Sequence, residues 1–514
     1  MVARTRGMRS IFLTVLALSL GLGCSRGEPK KGAAGPDTPS LRIAVVTDLQ
    51  GYLEPCGCTS DPLGGIDRLA AQIRLLRDGP APVVFLSAGD LFFDAPALEA
   101  ARVDQANRNA KTLAEILSRL NVTAILPGRS DRAQPPDVLQ VLRKVSGFPW
   151  LAMDRDAEVL RTQAGSIRVA VVGVRPGARP DAVASAVKAA KPDTDVTIAL
   201  VEGSRRDANR IGAIDGVDFV IEGGLDEAVA IPPRKAGKAW VVHAGRQGQG
   251  LAVIDVFQVK KNEPFVDRSE WSRAEHIGRL DRQIGDLSAK IGAWEELDQV
   301  DQADLAAQRD RLAELRSERE RLDEPATQVD TNAFDARWIP LRRNAPRDEQ
   351  VEKLMRAHDK AVNDANRLAF ADLEPPPLGP DDIGYVGSAA CSACHHTAFA
   401  WWRNHAHGVA YLTLQEANKE YNLDCVGCHV TGYGEPGGST VTHTLPGALV
   451  NVGCESCHGP GAAHAKDPDV KVVRNPPAST CLRCHNDQHS DLFDYDAYRR
   501  TLVVPGHGLP PQVR

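Results

Sequence analysis

No histidine occurs before residue 243, and no methionine after residue 355. Cysteine is nearly missing from the first 390 residues, which hold three of the eleven. A stretch of 242 residues without imidazole lacks the donors that most transition-metal sites rely on. A C-terminal part without a thioether leaves any metal there to histidine and cysteine. Only one apolar run stands out, 11–23, and thirteen residues is short for a bilayer span, which takes about 20. Charge is balanced, with 61 basic and 67 acidic side chains and a net of −6, so there is no basic footprint for nucleic acid.

What is present is unevenly placed. Eleven of the fourteen histidines and eight of the eleven cysteines lie beyond residue 385. A chain of 514 residues with 43% hydrophobic and 25% charged content has room for two or three ordinary domains. Arg4, Arg6 and Arg9 followed by the 11–23 run form an export signal. Gly23-Cys24 resembles a lipoprotein cleavage site, with Cys24 as the lipid attachment point and membrane anchor. Gly21 stands where such sites usually carry Leu, and the alternative is an ordinary secretory signal cut nearby. Residues 1–24 are read as signal peptide and 25–40, rich in Gly, Pro, Ser and Lys, as a flexible tether.

From 41 to 262, apolar strand-like runs alternate with amphipathic helical stretches. The runs are 41–47, 83–88, 123–127, 167–174, 196–201, 217–221, 239–243 and 251–258; helical spacing falls at 66–77, 107–120 and 136–146. The alternation predicts an α/β body that buries its own core. The stretches VVTDLQGYLEP, VVFLSAGDLFF, AILPGRSD and VVHAGRQGQGLAVIDV resemble the calcineurin-like metallophosphatases, in particular the periplasmic 5′-nucleotidases. That resemblance implies two facing sheets with metal ligands at the strand ends. Asp48 and Asp90 match the family's two metal-binding aspartates. Gln50 stands where the family has His, and Gly128-Arg129-Ser130-Asp131 where it has Gly-Asn-His-Glu or Gly-Asn-His-Asp. Glu202 falls near another expected His, and 223–227 replaces a Gly-His-x-His. A dinuclear centre needs several imidazoles and carboxylates around two cations. Asp48, Gln50, Asp90 and Asp131 are therefore read as a remnant phosphatase site, with no intact dinuclear metal centre.

Cys56 and Cys58 follow the first strand at the rim of that site. Outside the cytoplasm two close thiols oxidise readily. They are either a redox-active dithiol or soft-metal site, or a disulfide that pins the loop. Residues 265–370 read as a charged helical spacer. Ile277, Leu280, Ile284, Leu287, Ile291 and Trp294 recur at spacings of three and four, which predicts a coiled-coil seam with a break at 298–303. A hairpin within the chain is expected, with a dimerisation arm as the alternative, and Gly278, Gly285 and Gly292 are expected to admit a close partner backbone. An amphipathic helix at 347–370 and a Pro-rich linker at 371–384 follow.

Beyond the linker the chain repeats Cys-x-x-Cys-His four times. The cysteine pairs are Cys391 and Cys394, Cys425 and Cys428, Cys454 and Cys457, Cys481 and Cys484, followed by His395, His429, His458 and His485. This is the attachment signature of c-type haem: two thiols bond the porphyrin and the next residue ligates its iron. Zinc also uses paired cysteines, but it does not require a histidine after every pair. At the chain's histidine frequency four such coincidences have a chance of about 5 × 10⁻⁷. Seven further histidines lie in 385–514, enough for four bis-histidine irons. The text within and between the motifs, including YVGSAACSACHHTAFAWWRNHAHG and NVGCESCHGPGAAH, resembles the tetrahaem cytochrome c554 family over about 385–510. That resemblance implies a compact, mainly α multihaem domain and points to His407, His464, His489 and His507 as the opposite ligands.

The expected whole is multidomain: an α/β metallophosphatase-like sandwich, a helical hairpin spacer and a tetrahaem cytochrome domain with four c-type haems. Its expected work is electron transfer in a periplasmic or envelope respiratory chain, with redox partner proteins or quinol-linked membrane enzymes. The alternatives are a multihaem reductase of a small oxyanion and a still-active metal-dependent nucleotidase.

Overall fold

The computed structural model describes residues 38–504, apart from 56–61, 226, 228, 296–301, 323–330, 445–446, 487–488, 491–492 and 503. Cys24, Cys56, Cys58, His507, the signal and most of the tether lie outside the described residues. No helix among the described residues is long and apolar enough to cross a membrane.

Among the described residues, twelve strands form two six-stranded sheets. The first contains β1 (Leu41–Thr47), β2 (Val83–Gly89) and β3 (Ala124–Pro127) in parallel. The second is built on β4 (Ala157–Ala164), β5 (Ile167–Val174), β6 (Val196–Glu202), β7 (Phe219–Gly223), β8 (Val229–Ala236) and β9 (Ala239–Gly245). Strand β10 (Gly250–Phe257) returns to run antiparallel to β1, and β11 (Val266–Asp267) and β12 (Ala333–Pro340) complete the first sheet beyond it. The orders are β11-β12-β10-β1-β2-β3 and β4-β5-β6-β7-β9-β8.

Side chains alternate across each strand. On β1, Leu41, Ile43 and Val45 enter the core between the sheets, while Ala44 and Val46 face the opposite way. Helices α1 (Ile66–Asp78), α2 (Val103–Arg119) and α3 (Pro136–Ser146) follow the strands of the first sheet, and its outer face joins Leu69, Ile73, Leu113 and Leu117 in one core. Helices α4 (Pro180–Ala190) and α5 (Arg205–Gly212) cover the second sheet through Val183, Val187 and Ile211. A strand covered on both faces reads as a continuous apolar run, and every run picked out in the sequence between 41 and 258 is a strand.

The segment read as spacer divides its loyalties. Helices α6 (Glu270–Glu295) and α7 (Gln302–Arg321) pack into the expected hairpin around Ile291, Leu305 and Leu312. The ends are tied by His276 to Glu318 at 3.1 Å and Arg319 to Asp281 at 2.9 Å. The hairpin glycines do not admit a close backbone: a Cβ at Gly285 or Gly292 would meet nothing within 4 Å. Strand β12, by contrast, belongs to the body, pairing with β10 from Ala333↔Phe257 to Pro340↔Gly250. Helix α8 (Glu349–Ala369) is also part of the body, with Val351 and Met355 in the core of α1 and α2. Asp348 caps it, accepting from the Gln350 and Val351 N–H groups at 3.0 Å. The sheet thus continues past 262, because the extended piece after the hairpin supplies β10 with its second partner. The Pro-rich stretch 371–384 is strapped down: Leu373 and Pro376 carbonyls accept from Thr440 Oγ1 and Gly437 N at 2.8 and 2.9 Å.

Beyond it come short helices, among them Ser388–Cys391, His396–Trp402, Ala410–Ala417, Val426–His429, Cys454–His458, Ala462–Lys466, Ala478–Leu482 and Tyr495–Thr501. The apolar cluster here is small, Tyr411, Val426 and Val430 with Val450 against it.

Candidate functional site

The C-terminal ends of β1, β2 and β6 bring Asp48, Asp90 and Glu202 together, with Asp131 from the turn after β3. Their oxygens are taken by the chain itself. Asp131 is fully buried and accepts from the N–H groups of Leu91, Phe92 and Phe93 at 2.8, 2.8 and 3.1 Å. Asp90 accepts from Ser130 N and Ser130 Oγ, both at 2.7 Å. Asp48 accepts from Asp90 N at 2.9 Å and Gly224 N at 3.0 Å, and Glu202 from Arg129 N at 2.6 Å. The carboxylates fit because glycines stand beside them: a Cβ on Gly89 would lie 2.1 Å from Asp48 Oδ1, and one on Gly128 2.2 Å from Asp90 Oδ1. Burial pushes Asp48 and Asp131 up to about 8, and Glu202 up to about 7. Gln50 contributes its backbone, its N–H donating to Asp90 O at 2.9 Å from a left-handed φ of 54°. Arg129 is exposed. Among the described residues no group of three or more His, Cys, Asp or Glu is arranged to hold a metal ion.

The C-terminal part gathers its chemistry differently. Each of the four Cys-x-x-Cys-His stretches overlaps a short helical turn, which brings cysteine and histidine side chains onto one side. Cys391 and Cys454 are neighbours, as are Cys428 and Cys484. Arg483, inside the last motif, donates to Ser456 O of the third at 3.0 Å. The four motifs therefore form one cluster.

The histidines are oriented for ligation. His429, His458 and His464 each set Nδ1 against a backbone carbonyl, of Ala410, Val473 and Val470, at 2.6, 2.6 and 2.7 Å. That bond fixes the ring and presents Nε2, the arrangement found behind metal-bound histidines. The ring centres of His395 and His464 are 6.3 Å apart, and those of His407 and His485 are also 6.3 Å apart. An imidazole nitrogen binds a metal at about 2 Å and the ring centre lies about 1 Å further, so two rings on opposite sides of one iron have centres about 6 Å apart. Burial pushes His407 down to about 4, leaving it neutral at pH 7, the form that ligates. Half-exposed apolar side chains, Leu378, Leu412, Val473 and Leu482, at 48–52%, lie in the same part of the chain. The residues present fit a flat apolar cofactor held by two thioethers and two imidazoles.

Of the sequence-predicted opposite ligands, His464 and His407 each have a motif histidine as neighbour, with ring centres 6.3 Å apart. His489 lies in the turn after the last motif, its N–H donating to Asn486 Oδ1 at 3.1 Å. Glu455, inside the third motif, was missed. It is 4% exposed and accepts from the Val386, Gly387 and Gly461 N–H groups at 3.0, 2.7 and 2.8 Å. It thereby ties the approach to Cys391 to the turn that carries His464. Its position between two cysteines hid it, since the motif leaves those two places undefined.

Residues 390–459 match the family model for cytochrome c554 and c-prime. Cytochrome c-554 of Nitrosomonas europaea is 40% identical over 95 residues, covering 16% of this chain. The match spans 40% of that relative's length. Among solved structures, the sulfate thiohydrolase SoxB of Thermus thermophilus is similar at a TM-score of 0.43 with 13% identity, covering 65% of this chain and 62% of its own. A 5′-nucleotidase precursor, also from Thermus thermophilus, is similar at 0.42 with 12% identity, covering 76% and 69%. The family match points to c-type haem as the cofactor of the C-terminal part.

Proposed function

We propose that the chain is an exported, lipid-anchored tetrahaem c-type cytochrome that carries electrons in an envelope respiratory chain. The observation that carries this reading is the clustering of four Cys-x-x-Cys-His motifs with two further histidines, His464 and His407, whose ring centres lie 6.3 Å from those of the motif histidines His395 and His485. Haem supplies the one-electron step, and the chain supplies spacing, ligation and docking. Cys391 and Cys394, Cys425 and Cys428, Cys454 and Cys457, and Cys481 and Cys484 hold the four porphyrins. His395, His429, His458 and His485 would each hold an iron, and His464 and His407, whose rings neighbour those of His395 and His485, would hold two of them as second ligands. His489 and His507 serve the remaining two irons. Bis-histidine ligation sets potentials below those of histidine–methionine centres.

The sandwich is the scaffold. Its aspartates are engaged by backbone N–H groups, which supports a body without hydrolytic activity. Cys56 and Cys58 are proposed to exchange two electrons with two haems on passing between dithiol and disulfide. Thiol counts that do not change when the haems are reduced dispose of it.

Protein matured in a haem-attaching periplasm decides the main reading. Intact mass is expected to show four added porphyrins, and resonance spectra four low-spin irons. Carbon monoxide binding at one ferrous haem turns the assignment to a reductase. Turnover of a phosphomonoester with manganese, lost in Asp90→Ala, restores hydrolytic function to the body. Absence of porphyrin mass overturns the proposal.

A further inference from the structure

The body touches the C-terminal part through an unusually specific contact. Residues 421–424, just ahead of Cys425, lie along α2 and α8. Gln105 on α2 is 2% exposed and uses both ends of its amide. Its Oε1 accepts from Leu423 N at 3.0 Å and Asn366 Nδ2 at 2.7 Å. Its Nε2 donates to Asn422 Oδ1 at 3.1 Å and Asp424 Oδ2 at 2.8 Å. Four hydrogen bonds are the full capacity of a primary amide. Asn366 also donates to Tyr421 O at 2.9 Å, and Asn363 Oδ1 accepts from Tyr421 N at 2.8 Å. Arg102 pairs with Asp424 at the rim. Two helices of the body therefore hold the backbone of Tyr421 and Leu423 directly.

The clamp acts on the second motif and its ligand. Cys425 N and Val426 N donate to Asn422 O at 3.0 and 2.9 Å, so the turn carrying Cys425–His429 begins on a residue that Gln105 holds. A buried amide that reads backbone and side chains at consecutive residues specifies one position rather than merely adding adhesion, because any shift leaves several buried groups unpaired. Nothing comparable holds the other three motifs among the described residues, where their hydrogen bonds run within 370–502.

We propose that Gln105, supported by Asn363 and Asn366, is a positioning residue for the redox centre at Cys425–His429, and that the sandwich is a built-in wall of that one site. This rests on the haem reading. It makes the four centres unequal: the second has its attachment turn fixed, and its local charge set, by a domain that supplies none of its ligands.

The test uses the full-length matured protein. Haem content of the parent reports on the underlying reading before any variant is compared. In a potentiometric titration followed optically and by electron resonance, Gln105→Ala is expected to shift one reduction step and one low-spin signal, leaving three in place. Asn332→Ala is the control. That amide is 1% exposed and holds Lys260 and Glu263 carbonyls at 2.8 and 2.9 Å, so its loss weakens the body without touching the clamp. It is expected to lower the melting temperature and move no step. Should Gln105→Ala not accumulate, Arg102→Gln reads the same wall from a half-exposed position. Loss of that cation leaves Asp424 uncompensated and is expected to move one step to lower potential. Four steps superimposed on the parent in whichever variant is folded, or the same shift in Asn332→Ala, overturns the proposal.

Discussion

Residues 41–369 bury Phe85, Phe219 and Phe334 completely, whereas the described residues beyond 385 bury few large apolar side chains, among them Tyr411, Leu414, Val426, Val430, Val441 and Leu449. The first part makes its interior from its own side chains. The second makes hydrogen bonds, cysteine pairs and aligned imidazoles, and leaves Leu412 and Leu482 half exposed. The contrast teaches where folding energy comes from in each part. Burial of apolar area is enough for the sandwich, while a part with so small a core depends on ligation.

The sharpest way to break this comparison is to withhold the cofactor. With the eight motif cysteines changed to Ala, amide exchange over 385–502 is expected to lose all protection while the sandwich still melts cooperatively. Protection that persists in the C-terminal part removes the distinction. Next in size, Phe85→Ala is expected to cost the sandwich about 3–5 kcal/mol in a denaturant titration while leaving the haem absorbance of the folded protein unchanged. Glu455→Ala strands three buried N–H groups, each costing about 1–3 kcal/mol before relaxation. It is expected to loosen His464 and produce one high-spin signal, with the melt of the sandwich unaltered.

The fourth test turns on pH. Asp48 and Asp131, pushed up to about 8 in the folded sandwich, have ordinary values near 4 when unfolded. Between those values the folded form holds protons that the unfolded form releases, so the contribution of these two groups to stability is fully present below about pH 4 and is lost as pH rises through about 8. Asp48→Asn, which keeps an acceptor for Asp90 N and Gly224 N, is expected to reduce that slope by about 1 kcal/mol per pH unit. Chemical unfolding at pH 5, 6.5 and 8 measures it. The smallest effect is expected at the exposed Arg319–Asp281 pair of the hairpin, where Arg319→Ala should change stability by less than about 1 kcal/mol.

The sequence revealed most where a residue pattern is forced by covalent chemistry or by burial on both faces. Cys-x-x-Cys-His is legible because one porphyrin must meet two thiols and an imidazole. Strand β5, IRVAVVGV, is legible because neither face meets water. Strands of mixed polarity were not legible. Strands β4 and β8 close the two sides of the second sheet, and β8 carries Pro232 and Pro233 at a register shift, which an edge tolerates. Strand β12 mixes Asp335 and Arg337 with its apolar residues, so the reading of 265–370 as a helical spacer passed over it. The approach of His464 to His395 and of His407 to His485 is tertiary, which spacing along the chain does not encode. The clamp by Gln105 was invisible for the same reason, since Gln105 and Leu423 are 318 residues apart.

The helical hairpin leaves the sandwich after β11 and returns through β12, and these two strands lie side by side, Val266 against Ala333. Both feet of the hairpin thus stand on neighbouring rungs of a single sheet edge. Lengthening or trimming its shaft by matched turns moves only the tip and leaves the footing untouched. Its reach is consequently free to drift under selection by whatever lies around the protein, much as a mooring post can be cut to the depth of the water.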